Sequence, residues 1–369
     1  MNQSNIQFSR SQNDDFYKTL KSRVNAYFKE NHISKQANSA MVFKTIALLA
    51  LFLTPFGFLF MSGLPNGVYI LLWFIMGIGM AGVGLSVMHD ANHGAYSKKE
   101  WVNTIVSNVM IILGGSARNW RIQHNVLHHT YTNVTDHDED IDPPSFMLRF
   151  SPHSKHYSIQ RFQHYYAWFF YGLMTFFWFL TKDYQQAFRY KKKNLIAAQG
   201  VSFAQHMAGI IFFKIVYAFI FLFLPMYFAG APWTISLLGF VIMQFICGLI
   251  LALIFQPAHV VPSSTFPMPN DSGVIEADWA VSQLYNTANF APKARLFSWY
   301  VGGLNYQVEH HLFPSICHIH YRKIAGIVES TAKEFNLPYY SYKTFAAALA
   351  DHTKMLKSLG KNDAVIPAH

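Results

Sequence analysis

Charge is scarce in this sequence. Lys, Arg, Asp and Glu make up 13% of 369 residues, against 52% hydrophobic residues. A soluble domain carries about twice that charged fraction. The deficit is also local, because no Asp, Glu, Lys or Arg occurs from Thr45 to Met88. Cysteine is scarcer still. There are two, Cys247 and Cys317, and Cys247 sits in an apolar run, so no disulfide framework is expected. The first 40 residues contain no early apolar core, and no cleavable signal peptide is expected. His-Glu-x-x-His, the zinc-protease signature, is absent. So are the Glu-x-x-His pairs of a carboxylate-bridged di-iron bundle.

What the sequence does contain is long apolar runs. The charge-free run would make a helix of about 66 Å at 1.5 Å per residue. A bilayer core is about 30 Å thick, so the run predicts two spans. Ser62-Gly63-Leu64-Pro65-Asn66-Gly67 supplies the turn between them. A second run, from about Met207 to Phe255, breaks at Gly230-Ala231-Pro232. The expectation is four spans, near 41–61, 67–88, 208–228 and 233–256, in two helical hairpins. Lys214, near the start of the third, is expected to snorkel to the interface. Val102–Ala117 and Tyr165–Thr181 are marginal for spans and are expected to lie in the interface. A single crossing at either would put the histidine clusters described below on opposite sides.

Residues 1–40 read as a polar, basic lead-in, 41–330 as the membrane domain and 331–369 as a C-terminal cytosolic segment. Phe16, Leu20, Val24 and Phe28 recur every four residues. That periodicity fits an amphipathic helix on the cytosolic membrane surface and equally an ordinary packed helix. The net charge of +10 suits anionic headgroups and acidic soluble partners. The basic residues form no single dense tract, so nucleic acid is not an expected partner.

Eighteen histidines are present, and most are grouped. His89-Asp90-Ala91-Asn92-His93 begins where the second predicted span ends. His124-Asn125-Val126-Leu127-His128-His129 follows, and Gln307-Val308-Glu309-His310-His311 closes the set. Positions i and i+4 share a helix face, so His89 with His93, and His124 with His128, can each aim two imidazoles at one point. Gln307, His310 and His311 have the i, i+3, i+4 pattern. Adjacent His128 and His129 diverge by about 100° on an α-helix, and so can serve two metals. With His259, just past the last predicted span, eight histidines exceed the needs of one ion. Imidazole suits iron, zinc and copper. His32, His153, His156, His164, His352 and His369 lack ligand spacing and read as structural. His318 and His320 read as structural or as supports for ligands.

These residues resemble the membrane fatty acid desaturases, whose pattern is three histidine boxes. Here the boxes stand as HDANH at 89–93, HNVLHH at 124–129 and QVEHH at 307–311. The strings WRIQHNVLHHTYTN and GGLNYQVEHHLFPSICHIHY are similar to those of acyl-lipid front-end desaturases, including the cyanobacterial Δ6 type. The resemblance covers about residues 40–330. It implies an all-α integral membrane protein: four transmembrane helices, interfacial helices and a cytosolic helical cap holding a di-iron site. It implies two iron ions, with O2 as co-substrate, bound by His89, His93, His124, His128, His129, His259, His310 and His311. Gln307, where many desaturases have histidine, marks the front-end group and implies a catalytic role. No His-Pro-Gly-Gly cytochrome motif occurs. Electrons are therefore expected from a separate ferredoxin or cytochrome b5, and the setting is expected to be a bacterial inner membrane with site and termini cytosolic.

The implied reaction removes two hydrogens from adjacent methylenes of an acyl chain carried on a lipid, on coenzyme A or on acyl carrier protein. Asp90 and Asn92 are candidates to orient ligand imidazoles. Trp120, Asn305 and Tyr306 are candidates for the substrate wall, with core packing as the competing reading. Asp136, Asp138, Glu139, Asp140 and Asp142 form either a solvated acidic loop or supports for the ligands. Arg118 and Arg121 can meet an anionic headgroup, carrier or donor, or sit as plain interfacial arginines. Two other functions stay open. A hydroxylase on the same scaffold would yield an alcohol in place of an alkene. A metal transporter would need its site near the bilayer midplane, whereas the boxes follow the spans.

Overall fold

The computed structural model describes residues 6–9, 14–143 and 146–363, so His369 lies outside the described residues. The chain is mostly helical. We number the principal helices α1 (Asp14–Glu30), α2 (Ser39–Phe58), α3 (Asn66–Asn92), α4 (Glu100–Leu113), α5 (Arg121–His128), α6 (Gln163–Gly172), α7 (Asp183–Lys192), α8 (Phe203–Phe228), α9 (Trp233–His259), α10 (Trp279–Asn286), α11 (Gln307–Leu312), α12 (Tyr321–Glu334) and α13 (Phe345–Lys361). Two-residue strands β1 (Gln7–Phe8) and β2 (Val274–Ile275) pair in parallel, as do β3 (Asn289–Phe290) and β4 (Ser341–Tyr342). No closed sheet occurs among the described residues.

The chain divides into two compact units. One comprises residues 37–122 and 168–253. It contains α2, α3, α8 and most of α9, the four helices long and apolar enough to cross a membrane. The stretches at 102–117 and 165–181 are not among them. The start of α2 is set by Asn38, whose side chain accepts from Ala40 N and Met41 N. Ser202 and Gln205 form a capping box at the start of α8. Small residues let these helices approach closely. A Cβ on Gly79 would stand 2.8 Å from the backbone nitrogen of Phe52 in α2, and one on Gly77 would stand 2.8 Å from the carbonyl of Met243 in α9. Phe43, Ile46, Leu71, Ile215 and Leu238 remain exposed, as a lipid-facing surface requires.

Lys214 corrects the snorkelling expectation. It is buried, and its ammonium lies 2.6 Å from Asp183, also donating to the carbonyls of Gly114 and Trp178. A cation in an apolar helix is costly unless paired, and the buried partner carboxylate lies 31 residues upstream.

The other unit comprises residues 1–36, 123–167 and 254–369. Phe16, Leu20, Val24 and Phe28 of α1 are all buried in its core, with Leu284, Val308, Leu312, Ile324 and Val328. Burying each such side chain stabilises the fold by roughly 1.5–3 kcal/mol. The packed-helix reading of α1 therefore holds, and no apolar stripe is left to lie on a membrane. Arg23 extends the packing with a 2.7 Å ion pair to Glu334 of α12.

Candidate metal centre

Helix α5 is wound as a π-helix, a form that recurs at functional sites. His129 N donates to His124 O at 2.9 Å, five residues back. His128 and His129 thus both lie over His124, with ring centroids 5.1 and 4.8 Å from it. The residue spacing suggests an α-helix here; the wider turn brings three imidazoles together instead of two.

Five box histidines and His259 converge within the second unit. The ligand atoms of His128, His259 and His311 all lie within 4.8 Å of one another, and so do those of His129, His310 and His311. His129 Nε2 is 3.0 Å from His310 Nε2 and 3.3 Å from His124 Nε2. Two imidazole nitrogens bound to one metal ion at about 2.1 Å and right angles stand about 3 Å apart, so the separations fit a shared ion. All six rings are buried.

The opposite ring nitrogens are tied to the protein. His124 Nδ1 is 2.7 Å from Asp140 and His128 Nδ1 is 2.8 Å from Asp138. His311 Nδ1 is 2.8 Å from the Gln283 side-chain amide oxygen Oε1, and His310 Nδ1 is 3.3 Å from the Tyr321 hydroxyl. The Asp138, Asp140 and Gln283 oxygens only accept, so they select for His128, His124 and His311 the tautomer that leaves the Nε2 lone pair available, as in most metal-binding histidines. Nε2 of His128, Nε2 of His311 and both nitrogens of His259 have no hydrogen-bond partner among the described residues. Buried polar atoms are rarely left so, and a metal ion would satisfy them.

The electrostatics of His311 agree with that chemistry. Burial, with neighbouring His129, His128, His259 and His124, holds the His311 pKa well below the usual histidine range. The ring is therefore neutral at pH 7, the form that binds a metal. Burial opposes charge on His128, but Asp138 overrides it and raises the pKa. Burial raises Asp138 in turn.

Two of the five acids at 136–142 thus contact box histidines, while Asp136 and Asp142 are exposed. Gln283 carries no motif that could have pointed to it, and Tyr321 closes the string at 302–321 without ligand spacing. Glu309 anchors α11 from inside the third box. It accepts from the Tyr339 hydroxyl and the Asn289 amide, each at 2.8 Å, and burial lifts its pKa to about 7. Gln307 is buried on the same helix. Its side chain faces the His259 ring without reaching normal hydrogen-bond geometry.

Asn305 donates to the carbonyl of Phe290 and to the hydroxyl of Ser298, both at 3.0 Å. Tyr306 donates to the Pro292 carbonyl at 2.6 Å and packs in the core with α1. Both turn their polar groups into the framework. His153, His156 and His352 bond to the carbonyls of Phe266, Gly360 and Val260. His320 approaches the Gln36 carbonyl at 3.3 Å.

His89 and His93 belong to the first unit, where their ring centroids are 4.7 Å apart. Trp120 stands edge-on to both at 5.6 Å. Asp90 lies 3.7 Å from His89 Nδ1, beyond hydrogen-bond range. Asn92 accepts from Arg121 at 3.2 Å and donates to the Met88 carbonyl at 3.0 Å.

A buried, imidazole-rich centre able to hold metal occurs in a chain with four candidate spans. The fatty acid desaturase family model matches residues 65–343, and the chain belongs to that family. It is 36% identical over 349 residues to the sn-1 linoleoyl-lipid 6-desaturase of Arthrospira platensis, covering 94% of this chain and 93% of the relative. The enzyme of the same description from Synechocystis sp. is 34% identical over 360 residues, covering 95% and 97%. The acyl-lipid (8-3)-desaturase of Physcomitrium patens is 35% identical over 362 residues, covering 96% and 74%. The chain is thus a fatty acid desaturase, an oxidoreductase of lipid metabolism and a membrane protein. Transport of metal is set aside by that membership.

Proposed function

We propose that this enzyme is a front-end acyl-lipid desaturase that inserts a cis double bond into an acyl chain of a membrane lipid. Two irons would be held by His89, His93, His124, His128, His129, His259, His310 and His311. The observation that carries this reading is the convergence of buried Nε2 atoms whose Nδ1 partners are fixed by Asp138, Asp140, Gln283 and Tyr321. When bound, two irons with O2 supply an oxidant able to take hydrogen from an unactivated methylene.

The remaining roles fall to the protein. The four fixed Nδ1 contacts hold the rings in ligand geometry. Burial keeps water from competing for the oxidant. Gln307 would hold a water or bind weakly beside His259, because an amide both accepts and donates. Trp120, wedged against His89 and His93, would close the reacting end of the acyl path. Two electrons would come from a separate ferredoxin or cytochrome b5, and water would be the second product. The Arthrospira and Synechocystis relatives, named for a linoleoyl lipid, support a lipid-linked substrate over coenzyme A or acyl carrier protein.

We place the four spans as two hairpins in a bacterial inner membrane, with the boxes on the cytosolic side. The basic group Arg189, Lys191, Lys192 and Lys193 supports that side. Expression in a host of known fatty acids tests the function. A new double bond located by mass spectrometry is expected, first in the lipid pool, and His128→Ala must abolish it. A hydroxylated product, or full activity in His128→Ala, would refute the reading. Labelling of a cysteine at position 191 from outside intact cells would refute the topology.

A further inference from the structure

The first unit contains a second built site. A cavity of about 100 Å³ is lined by Ser116, Arg118, Arg121, His206, Gly209 and Phe213, among others. That is room for several waters or one tetrahedral oxyanion. Its charged lining is basic, and no acid lines it. Arg118 is half-buried and has no hydrogen bond or ion pair among the described residues. Its charged neighbour Arg121 does not offset it. The nearest carboxylate is already engaged. Asp183 accepts from Lys214 at 2.6 Å, Ser116 N at 3.0 Å and the Asn119 amide at 3.2 Å. Two guanidinium groups held together without an acid leave a positive field aimed at the cavity.

The site lies at the start of a candidate span, where a headgroup would be met. His206, Gly209 and Phe213 lie in the first turns of α8, a candidate span, and Ile211, Phe212 and Phe213 beside them are exposed. A Cβ on Gly209 would meet nothing within 4 Å, so this wall is open. We propose that the cavity binds the phosphate of a membrane-lipid headgroup, with Arg118 as the principal anion contact. Arg121 adds a second guanidinium and also donates to Asn92 within the first histidine box. An occupied site is therefore one side chain away from that box. The proposal needs no iron and no turnover, so it stands or falls separately from the reading above.

Thermal unfolding of the purified full chain in neutral maltoside micelles tests it, since a ligand of the native state raises the midpoint saturably. Dioctanoyl phosphatidylglycerol should do so, whereas dioctanoyl galactosylglycerol, which has no phosphate, should not. Arg118→Gln should weaken the phosphatidylglycerol response at least tenfold, and Arg118→Lys should keep it within threefold. Gly209→Leu, which fills the open wall, should weaken it as well and serves if Arg118→Gln does not fold. Unchanged affinity in either Arg118→Gln or Gly209→Leu would overturn the site. An equal response to the galactolipid would overturn phosphate recognition. Inorganic phosphate binding as tightly as phosphatidylglycerol would overturn the assignment to a lipid.

Discussion

Asp138→Asn isolates the contribution of a ligand's support from that of the ligand itself. Each Asp138 oxygen accepts one backbone N–H: Oδ2 from Asn133 and Oδ1 from Asp140, both at 2.9 Å. Both oxygens also face His128 Nδ1, at 2.8 and 2.9 Å. An amide has one acceptor oxygen, so either orientation turns an NH2 toward a buried N–H. The orphaned donor costs about 1–3 kcal/mol. Loss of the negative charge also makes His128 a weaker donor to a metal, and such changes typically lower metal affinity about 10–100-fold. Iron retained against a graded chelator, with thermal unfolding of the metal-free protein, measures both effects. Asp136→Asn is the control, because Asp136 is exposed and has φ 68°, a conformation asparagine tolerates. Wild-type iron affinity in Asp138→Asn would refute the reasoning.

Two further outcomes follow from the buried polar groups. Burial holds the His352 pKa down to about 4, while the unfolded chain takes up the proton near 6.5. Stability from this group is therefore full above pH 6.5 and is lost as pH falls toward 4, by up to about 3 kcal/mol. His352→Asn, which can still donate to the Val260 carbonyl, should flatten the decline in melting midpoint between pH 7 and 5 and keep its iron; an unchanged slope would contradict this. Gln307→Ala should retain most of its iron yet lose most desaturation, whereas His311→Ala should lose both. Loss of both irons in Gln307→Ala would make Gln307 an anchor, and unimpaired turnover would make it a packing residue.

The spans were legible because charge is excluded from apolar helices, and one 44-residue gap is hard to read otherwise. The box histidines were legible because their spacing is local. Their supports were not. Gln283 and Tyr321 meet His311 and His310 through tertiary packing, and spacing along the chain does not mark either as a partner. Asp138 and Asp140 were visible only as members of an acidic run, and burial alone separates them from Asp136 and Asp142. The π-winding of α5 leaves no mark in its composition. Lys214 was expected to snorkel, and nothing local pointed to Asp183 as its partner. The stripe on α1 was correctly apolar, yet periodicity cannot say whether lipid or protein covers it, and here it is protein.

The central claim is that the box imidazoles hold iron. Anomalous diffraction at the iron edge, from crystals of purified, active protein, tests it most directly. Two iron peaks per chain are predicted, one of them within bonding distance of His128, His259 and His311. Active protein with no iron signal at these three residues would contradict the account.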